Sequence, residues 1–310
     1  MNPVADCPLC HSSNHQNVLV GRPDYEFGLG VRLAYSRCLE PQCGLVYAHP
    51  LPSAETIGRF YDNYTTREQP RASRVAALVE SAARRAALRE VQGLLERDRA
   101  NELTVLDYGC GSGIFMEQLR SVGVGTVLGY DMDRAACAHA RSGGFNVCSS
   151  EEEVAARAPF DYIFLNHVIE HLASPADDLR RIVGYLKPGG KLVLRTPNSR
   201  SLLARLFRNG WRGWETPRHL HLFNVKSIQR LLAETAPCGT RLVKVATSNA
   251  MFVGMFLESF HSPFSRMSIP GKVLRHLCAQ ILAPMARLLN AVAGDLGEEI
   301  YMVAEKNAQP

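Results

Sequence analysis

The 310-residue sequence lacks a strong charge excess, an internal repeat and an apolar run that could span a membrane. Its opening, MNPVADCPLC, has no basic segment followed by an apolar core, which predicts a chain without a secretory signal. The net charge of +5 is a mild excess, so composition gives little support for a nucleic-acid partner. The most apolar late stretch, from Leu277, is interrupted by Gln280, Pro284 and Arg287 and therefore does not predict a spanning helix.

Disulfides are not expected either. The nine cysteines are an odd number, and without a secretory signal they predict reduced thiols in a cytoplasm. A chain of this length can bury enough apolar surface to be stable without a disulfide or a metal. Any metal site would therefore serve a local part of the chain and not the stability of the whole protein.

The local composition and apolar patterning of the sequence predict three regions. Residues 1–50 are rich in cysteine, histidine and turn formers, which indicates a small separate module, and residues 51–100 are typical of a helical linker or cap. Residues 101–310 alternate short apolar runs with amphipathic stretches, which predicts an α/β fold with a parallel sheet and crossover helices. Within that region we expect a lid at 199–224 and a partly helical insertion at 250–294.

A glycine-rich turn, YGCGSG, follows the apolar run LTVLD and precedes a helix-like segment. Gly109, Gly111 and Gly113 leave room for a ligand to approach backbone N–H groups at the helix N-terminus, as in a cofactor cradle. The GxGxxG spacing of dinucleotide sites fails in both registers. A second acid, Asp131, ends the next apolar run, where a carboxylate can accept both hydroxyls of a ribose.

Four segments, VLDYGCGSG, GYDMD, FDYIFLNHVIEHL and LKPGGKLVL, resemble in order the motifs of class I S-adenosylmethionine-dependent methyltransferases. The resemblance extends from residue 103 to residue 306 and implies a Rossmann-like seven-stranded sheet, with the last strand antiparallel and helices on both faces. It implies that Asp107 holds the amino-acid end of S-adenosylmethionine and Asp131 its ribose. The full set of cofactor-binding residues implied in this way is Asp107, Gly109, Gly111, Gly113, Asp131 and Asn166.

The string HVIEH at 167–171 matches the HxxEH pattern of one class of zinc peptidases, which requires a helix. It directly follows a strand-like run and meets Pro175, which leaves barely one helical turn, so a peptidase is not expected. Ubiquinone-pathway O-methyltransferases are similar here, with an ExxEH spacing that can bind a divalent cation, and His167 replaces the first glutamate. His167 and His171 are candidate catalytic residues; the alternative is that they only cap the turn.

The stretch NGWRGWETPRHLHLFN at 209–224 contains both tryptophans and two histidines. It lies beyond the carboxyl end of the fifth strand of the methyltransferase region, at the edge where open α/β sheets bind ligands. Similar tryptophan and PRHLHLF-like strings occur in bacterial methyltransferases of this type. His219 is the preferred candidate for a base or a substrate contact, whereas the alternation of His219 and His221 with leucines also fits one wall of a packed loop.

Four cysteines form two pairs, Cys7 with Cys10 and Cys38 with Cys43. Four thiolates can close a tetrahedral zinc site, although the longer second spacing leaves His11 or His15 as an alternative ligand and unpaired structural thiols as another interpretation. The arrangement resembles bacterial methyltransferases with an N-terminal zinc ribbon, which are often linked to polysaccharide or secondary-metabolite tailoring.

The activity expected from these resemblances is O-methylation of a sugar, glycolipid or other small metabolite, with S-adenosylmethionine as cofactor and a structural Zn²⁺. One alternative is C- or N-methylation of a sugar. Another is an RNA or protein substrate docked by residues 1–50, although these lack an aromatic and basic stripe. The apolar residues of 260–294 suit either contact with a membrane surface or a cap over the acceptor pocket. We expect a cytoplasmic protein and make no prediction of its oligomeric state.

Overall fold

The computed structural model describes residues 6–24, 30–60, 92–95, 97–259 and 269–308. Most of the helix expected within 51–100 lies outside these described residues. The strands are β1 His15–Pro23, β2 Arg32–Cys38, β3 Val46–His49, β4 Thr104–Tyr108, β5 Thr126–Tyr130, β6 Asn146–Val147, β7 Phe160–Asn166, β8 Leu186–Pro197, β9 His221–Leu222, β10 Thr240–Ser248 and β11 Glu299–Lys306. The helices are α1 Ala54–Arg59, α2 Ile114–Ser121, α3 Arg134–Ser142, α4 Glu151–Arg157, α5 Pro175–Gly184, α6 Leu202–Phe207, α7 Val225–Ala233, α8 Phe252–Glu258 and α9 Ile269–Ala293.

Seven strands form the larger sheet, in the order β10-β11-β8-β7-β4-β5-β6. The β4–β5, β4–β7 and β5–β6 pairs are parallel. The last strands of the mixed sheet run antiparallel, so the predicted Rossmann-like α/β fold is confirmed. The sequence of β7 is a nearly continuous apolar run because both of its faces are covered. Ile163, Phe164 and Leu165 are all buried, as expected for a parallel strand of this kind.

Local capping fixes where the helices begin. The side chain of Asp133 accepts a hydrogen bond from the N–H of Ala135 at the start of α3, and Ser150 caps α4 in the same way. Helix α2 differs, because its N-cap is Gly113 in a left-handed conformation with no side-chain cap. The glycine turn is therefore the element that takes the chain from β4 directly into α2.

Residue contacts divide the chain into two compact units. The first unit contains residues 1–63, 167–183 and 194–305, and the second contains residues 64–166, 184–193 and 306–310. The glycine turn and Asp131 lie in the second unit, whereas the paired cysteines and the candidate histidines lie in the first. The boundaries at 50 and 100 stay predictions.

A four-stranded sheet in the first unit has the order β1-β2-β3-β9. Strand β3 pairs antiparallel with β9, with Val46 opposite Leu222 and Tyr47 opposite His221. The cysteine-bearing N-terminal strands therefore share a sheet with the segment that carries the lid histidines.

The expected insertion at 250–294 contains α8 and α9. Phe252, Met255 and Phe256 of α8 are buried in one cluster with Trp211 and Trp214 of the lid. Among the described residues, no helix is both long and apolar enough to pass through a bilayer.

Candidate active site

The glycine turn depends on its glycines for backbone conformation. Gly109, Gly111 and Gly113 have φ values of 86°, 50° and 87°, in the left-handed region that side chains disfavour. A Cβ atom at Gly113 would also lie 2.7 Å from Cδ2 of Phe145. The spacing of three glycines is therefore a requirement of the turn itself.

Three N–H groups of this turn anchor it to the end of β5. The N–H groups of Gly109 and Cys110 donate to the carbonyl oxygen of Tyr130 at 2.6 and 3.0 Å, and that of Gly111 donates to Oδ2 of Asp131 at 2.8 Å. The donors that the sequence offers to a ligand are the N–H groups at the start of α2, and their role stays a prediction. The glycines supply the room and the shape that such an approach requires.

Asp131 is held in a fixed orientation beside the turn. Its Oδ2 accepts the Gly111 N–H, and its Oδ1 accepts the N–H of Asp133 at 2.8 Å. A carboxylate has about four acceptor positions, so both oxygens can still accept hydrogen bonds from ribose hydroxyls. This geometry fits the role that the resemblance implies for Asp131.

Asp107 and Asn166 lie at the carboxyl ends of β4 and β7. Burial raises the pKa of Asp107 to about 8, repulsion by Asp131 adds to the shift, and the nearby amide of Asn166 opposes it without meeting hydrogen-bond geometry. Oδ2 of Asp107 and both polar side-chain atoms of Asn166 are buried without a hydrogen-bond partner among the described residues. Unpaired buried polar atoms are rare unless a ligand or water completes them. The ammonium group of S-adenosylmethionine fits, because it can donate to both residues and favours the ionised carboxylate.

His167, in the first unit, lies between two carboxylates. Its Nε2 is 2.9 Å from Oε1 of Glu299, its Nδ1 is 3.3 Å from Oε1 of Glu170, and its φ is 56°. Burial alone lowers the pKa of His167, but the interactions with Glu170 and Glu299 outweigh it and raise the pKa to about 10. A charged imidazolium has no lone pair, which argues against His167 as the base expected from the sequence.

The HVIEH string forms only one 3-10 turn, Ile169–His171, which is the short turn expected rather than the helix of a peptidase. Nδ1 of His171 is 3.2 Å from the carbonyl oxygen of Arg218, and Nδ1 of His219 is 2.8 Å from that of Gly213. Because a carbonyl oxygen only accepts, both Nδ1 atoms carry the hydrogen. The neutral form of each ring therefore has its lone pair at Nε2.

Two acids face His219. Its Nε2 lies 3.6 Å from Oε2 of Glu215 and 4.0 Å from Oε1 of Glu170. Burial lowers the pKa of His219 to about 4 although Glu215 opposes the shift, so the ring is neutral at pH 7. The rings of His171 and His219 meet edge to face with centroids 4.7 Å apart.

Glu170 anchors this group of side chains. It is fully buried and accepts a hydrogen bond from Oγ1 of Thr196 at 2.9 Å. Burial opposes its ionisation, but the interactions with His167 and the two neighbouring histidines hold the pKa of Glu170 well below its usual value. His221, by contrast, lies outside the group, and burial lowers its pKa to about 4.

Two sets of residues in the described part of the chain can hold a metal ion. One is Glu170, His171 and His219, whose ligand atoms lie within 4.8 Å of one another. Histidines that bind metals usually donate their other ring N–H to a carbonyl or carboxylate, as His171 and His219 do here. The substitution of His167 for a glutamate leaves a two-histidine, one-carboxylate set in place of the ExxEH arrangement.

The second set is Cys7, Cys10, Cys38 and Cys43, whose thiols also lie within 4.8 Å of one another. The Cys7–Cys43 and Cys10–Cys38 sulfur distances are 3.8 and 3.4 Å. Tetrahedral zinc with Zn–S bonds of about 2.3 Å separates its sulfurs by about 3.8 Å, so the thiols fit this metal. Neither His11 nor His15 belongs to the set, and the four thiols suffice without them.

Sequence reasoning missed Glu215 and Glu299. Glu215 has a φ of 31° and directly precedes the Thr216–Pro217 bond. It is only four residues before His219, so its place in the same short stretch was a local signal that could have identified it. Glu299 is at the start of β11 and is far from His167 in sequence, so no local pattern could have identified that contact.

Comparison with known proteins assigns the family. The model of a methyltransferase domain family, Methyltransf_23, matches residues 79–235, about half of the chain. The ubiquinone biosynthesis O-methyltransferase of Caulobacter vibrioides is 35% identical over 105 residues, which are 31% of this chain and 41% of that protein. The ribosomal protein L11 methyltransferase of Dechloromonas aromatica is 35% identical over 106 residues, which are 32% of this chain and 34% of that protein.

These matches span less than half of the length of either relative. Among solved structures, a SAM-dependent methyltransferase from Archaeoglobus fulgidus is 19% identical with a TM-score of 0.46, covering 72% of this chain and 94% of its own. The family match is the finding that assigns the chain. It belongs to the methyltransferase domain family, and its cofactor is S-adenosylmethionine.

Proposed function

We propose that this protein transfers the methyl group of S-adenosylmethionine to a hydroxyl oxygen of a small metabolite, such as a sugar, glycolipid or secondary metabolite. The observation that carries the proposal is the pair of histidines whose Nδ1–H groups are bound to carbonyl oxygens. A hydroxyl needs a base as its oxygen is methylated, and this pair offers two lone pairs at Nε2. The name of the Caulobacter relative also favours oxygen as the acceptor atom.

S-adenosylmethionine, when bound, supplies an electrophilic methyl group on a cationic sulfur. Asp107, Asn166 and Asp131 hold the cofactor, and the glycine turn gives it room. His171 is more exposed than His219 and is therefore the residue that accepts the hydroxyl proton at Nε2. Glu170 then stabilises the imidazolium that forms, because it is buried and ionised.

His219 and His167 act as positioning residues in this proposal. His219 packs edge-on against the ring of His171, and its own Nδ1–H is held by Gly213. His167 pairs with Glu170 and fixes that carboxylate beside the turn. Of the three predicted catalytic histidines, His171 therefore acts as the base, and the other two position it or its carboxylate partner.

The test uses methyl-labelled S-adenosylmethionine with panels of hydroxyl, amine and carbon acceptors, followed by identification of the methylated atom. An O-methyl product that is lost about 10²-fold or more in His171→Gln supports the proposal. His139→Gln is the matched control, because His139 is an exposed histidine on α3. A methylated nitrogen, carbon, RNA or protein, or full activity in His171→Gln, would overturn it.

A divalent cation held by Glu170, His171 and His219 is a second candidate for activating the hydroxyl. The ligand spacing supports it, and a bound cation would lower the pKa of a coordinated hydroxyl. Removal of metal by a chelator separates the two mechanisms. Activity that disappears with the chelator and returns with Mg²⁺ or Mn²⁺ favours the metal, whereas unchanged activity favours His171 as the base.

We further propose that the four cysteines bind a structural zinc ion. The sulfur separations support it, as do the left-handed residues His11 and Gly44 directly after the second cysteine of each pair. Elemental analysis should find one zinc per chain, and Cys43→Ser should lose it together with thermal stability. Cys278→Ser, at an exposed thiol outside the set, is the control and should retain the metal. A zinc-free protein with unchanged stability would contradict this proposal.

A further inference from the structure

Helix α9 packs against the rest of the first unit through a narrow row of small residues. Ala279, Ala283 and Ala286 are buried in the cluster that also contains Phe252 and Phe256 of α8. At 100° per residue these three alanines cover an arc of about 60° on one side of the helix. Among the α9 residues whose burial the structure describes, those outside this row are exposed, apart from the half-buried Asn290.

A continuous apolar stripe lies on the opposite side. Its members recur at intervals of three or four residues, are each between 52% and 83% exposed, and fall within about 80° of one another around the helix. We call them the α9 stripe: Leu274, Leu277, Ile281, Met285, Leu288 and Val292. The exposure of these side chains favours contact with a membrane surface over a cap on the acceptor pocket, because a cap would bury them.

The charged residues of this segment are all basic. Residues 259–294 contain no aspartate or glutamate, whereas Arg266, Lys272, Arg275 and Arg287 give the segment four positive charges. Arg287 is exposed on α9. The whole chain contains 30 acidic residues. A stretch of this length without an acidic residue therefore differs from the average composition of the chain.

We propose that the α9 stripe docks this protein onto an anionic lipid bilayer. Leucine, isoleucine and methionine side chains enter the acyl boundary, and the positive charge of the segment, with Arg287 exposed on α9, favours anionic headgroups. A second copy of the chain is a poorer occupant, because pairing two α9 helices would bring positive charges together without any acid to neutralise them.

Flotation of the full chain with vesicles tests this proposal. Vesicles of phosphatidylglycerol and phosphatidylcholine should bind the protein at least tenfold more tightly than phosphatidylcholine alone, with binding weakened by salt. L277Q/I281Q/L288Q should lower the partition coefficient at least tenfold, since glutamine keeps the helix but removes apolar surface. R287E should weaken binding to the anionic vesicles only.

The matched control is V20T/L206Q/V243T, which removes three exposed apolar side chains outside α9 and should bind normally. Circular dichroism and cofactor binding confirm that each variant is folded. Equal vesicle binding by the stripe variant and the native chain, or no binding by the native chain, would overturn the proposal. A third outcome would also overturn it: the stripe variant has a different molar mass in light scattering or a different thermal stability, but binds vesicles normally. Another protein surface would then cover the stripe.

Discussion

The phenolic hydroxyl of Tyr35 donates a hydrogen bond to the main-chain oxygen of His219 at 2.9 Å. Tyr35 belongs to β2, between the two cysteine pairs, and its ring packs edge-on against Trp214 at a centroid distance of 5.1 Å. The N–H of Ala48 on β3 also donates to the carbonyl oxygen of Leu220 at 2.8 Å. The N-terminal strands therefore help to position the histidine segment.

Tyr35→Phe should reduce both stability and turnover. The variant keeps the ring but leaves the buried carbonyl of His219 without this donor, which should lower the free energy of unfolding by about 1–2 kcal/mol. Denaturant unfolding and steady-state kinetics measure the two effects. Tyr162→Phe, which removes a hydroxyl bonded to Leu94 in the other unit, should lower stability alone. Unchanged turnover in Tyr35→Phe would contradict the positioning role.

Asp107→Asn should stabilise the cofactor-free protein and weaken cofactor binding. Because the pKa of Asp107 is raised to about 8 in the folded state, the folded protein binds the extra proton between about pH 4 and 8. Its free energy of unfolding therefore falls as pH rises through that window, and the variant should be more stable by over ~1 kcal/mol at pH 8.

Thermal unfolding from pH 5 to pH 9, with and without S-adenosylmethionine, measures both effects of Asp107→Asn. Native protein should bind the cofactor more tightly as pH rises toward 8, because the cationic ligand favours the ionised carboxylate. Asp177→Asn changes an exposed carboxylate and should leave both curves unaltered. A variant that binds the cofactor as tightly as the native chain would exclude Asp107 from the site.

Gly113→Ala should be markedly more damaging than Gly144→Ala. Both glycines have positive φ values, 87° and 77°, so each alanine incurs about 1–2 kcal/mol of backbone strain. Only at Gly113 would the new Cβ meet Phe145, at 2.7 Å, whereas Gly144 faces open space. We expect Gly113→Ala to lose additional stability and cofactor affinity in calorimetry. Equal losses in the two variants would show that the contact with Phe145 is unimportant.

Asn224→Ala should destabilise the protein more than an ordinary helix-cap variant. Asn224 caps α7 through Oδ1, and its Nδ2 also donates to the carbonyl oxygens of Cys43 and Gly44 at 2.9 Å each. Ser150→Ala, which removes a single cap at α4, should cost about 1 kcal/mol. Denaturant unfolding should show a loss of about 2–3 kcal/mol for Asn224→Ala. Similar losses would mean that the bonds to the second cysteine pair contribute little.

Much of the fold could be predicted because its signals are local. The apolar run that forms β7 and the glycines that lead into α2 reflect burial and backbone conformation, both of which are visible in short stretches of sequence. The clustering of Cys7 with Cys43 followed from spacing and thiol chemistry in the same way.

The histidine group was harder to predict because its electrostatics depend on contacts distant in sequence. HVIEH marked His167 as a candidate base, but the carboxylates of Glu170 and Glu299 outweigh burial and raise the pKa of this histidine to about 10. The pairing of β3 with β9 was also invisible, since a two-residue strand has no periodicity.

That short pairing sets a limit on how the protein can be divided. A chain shortened to begin at residue 51 would leave the backbone of His221 and Leu222 without its neighbouring strand, and would remove the hydroxyl that supports His219. Such a fragment would retain every residue proposed to hold the cofactor. It would lack the contacts that position the histidines proposed to act on the acceptor. Cofactor capture and methyl transfer should therefore separate in the truncated protein.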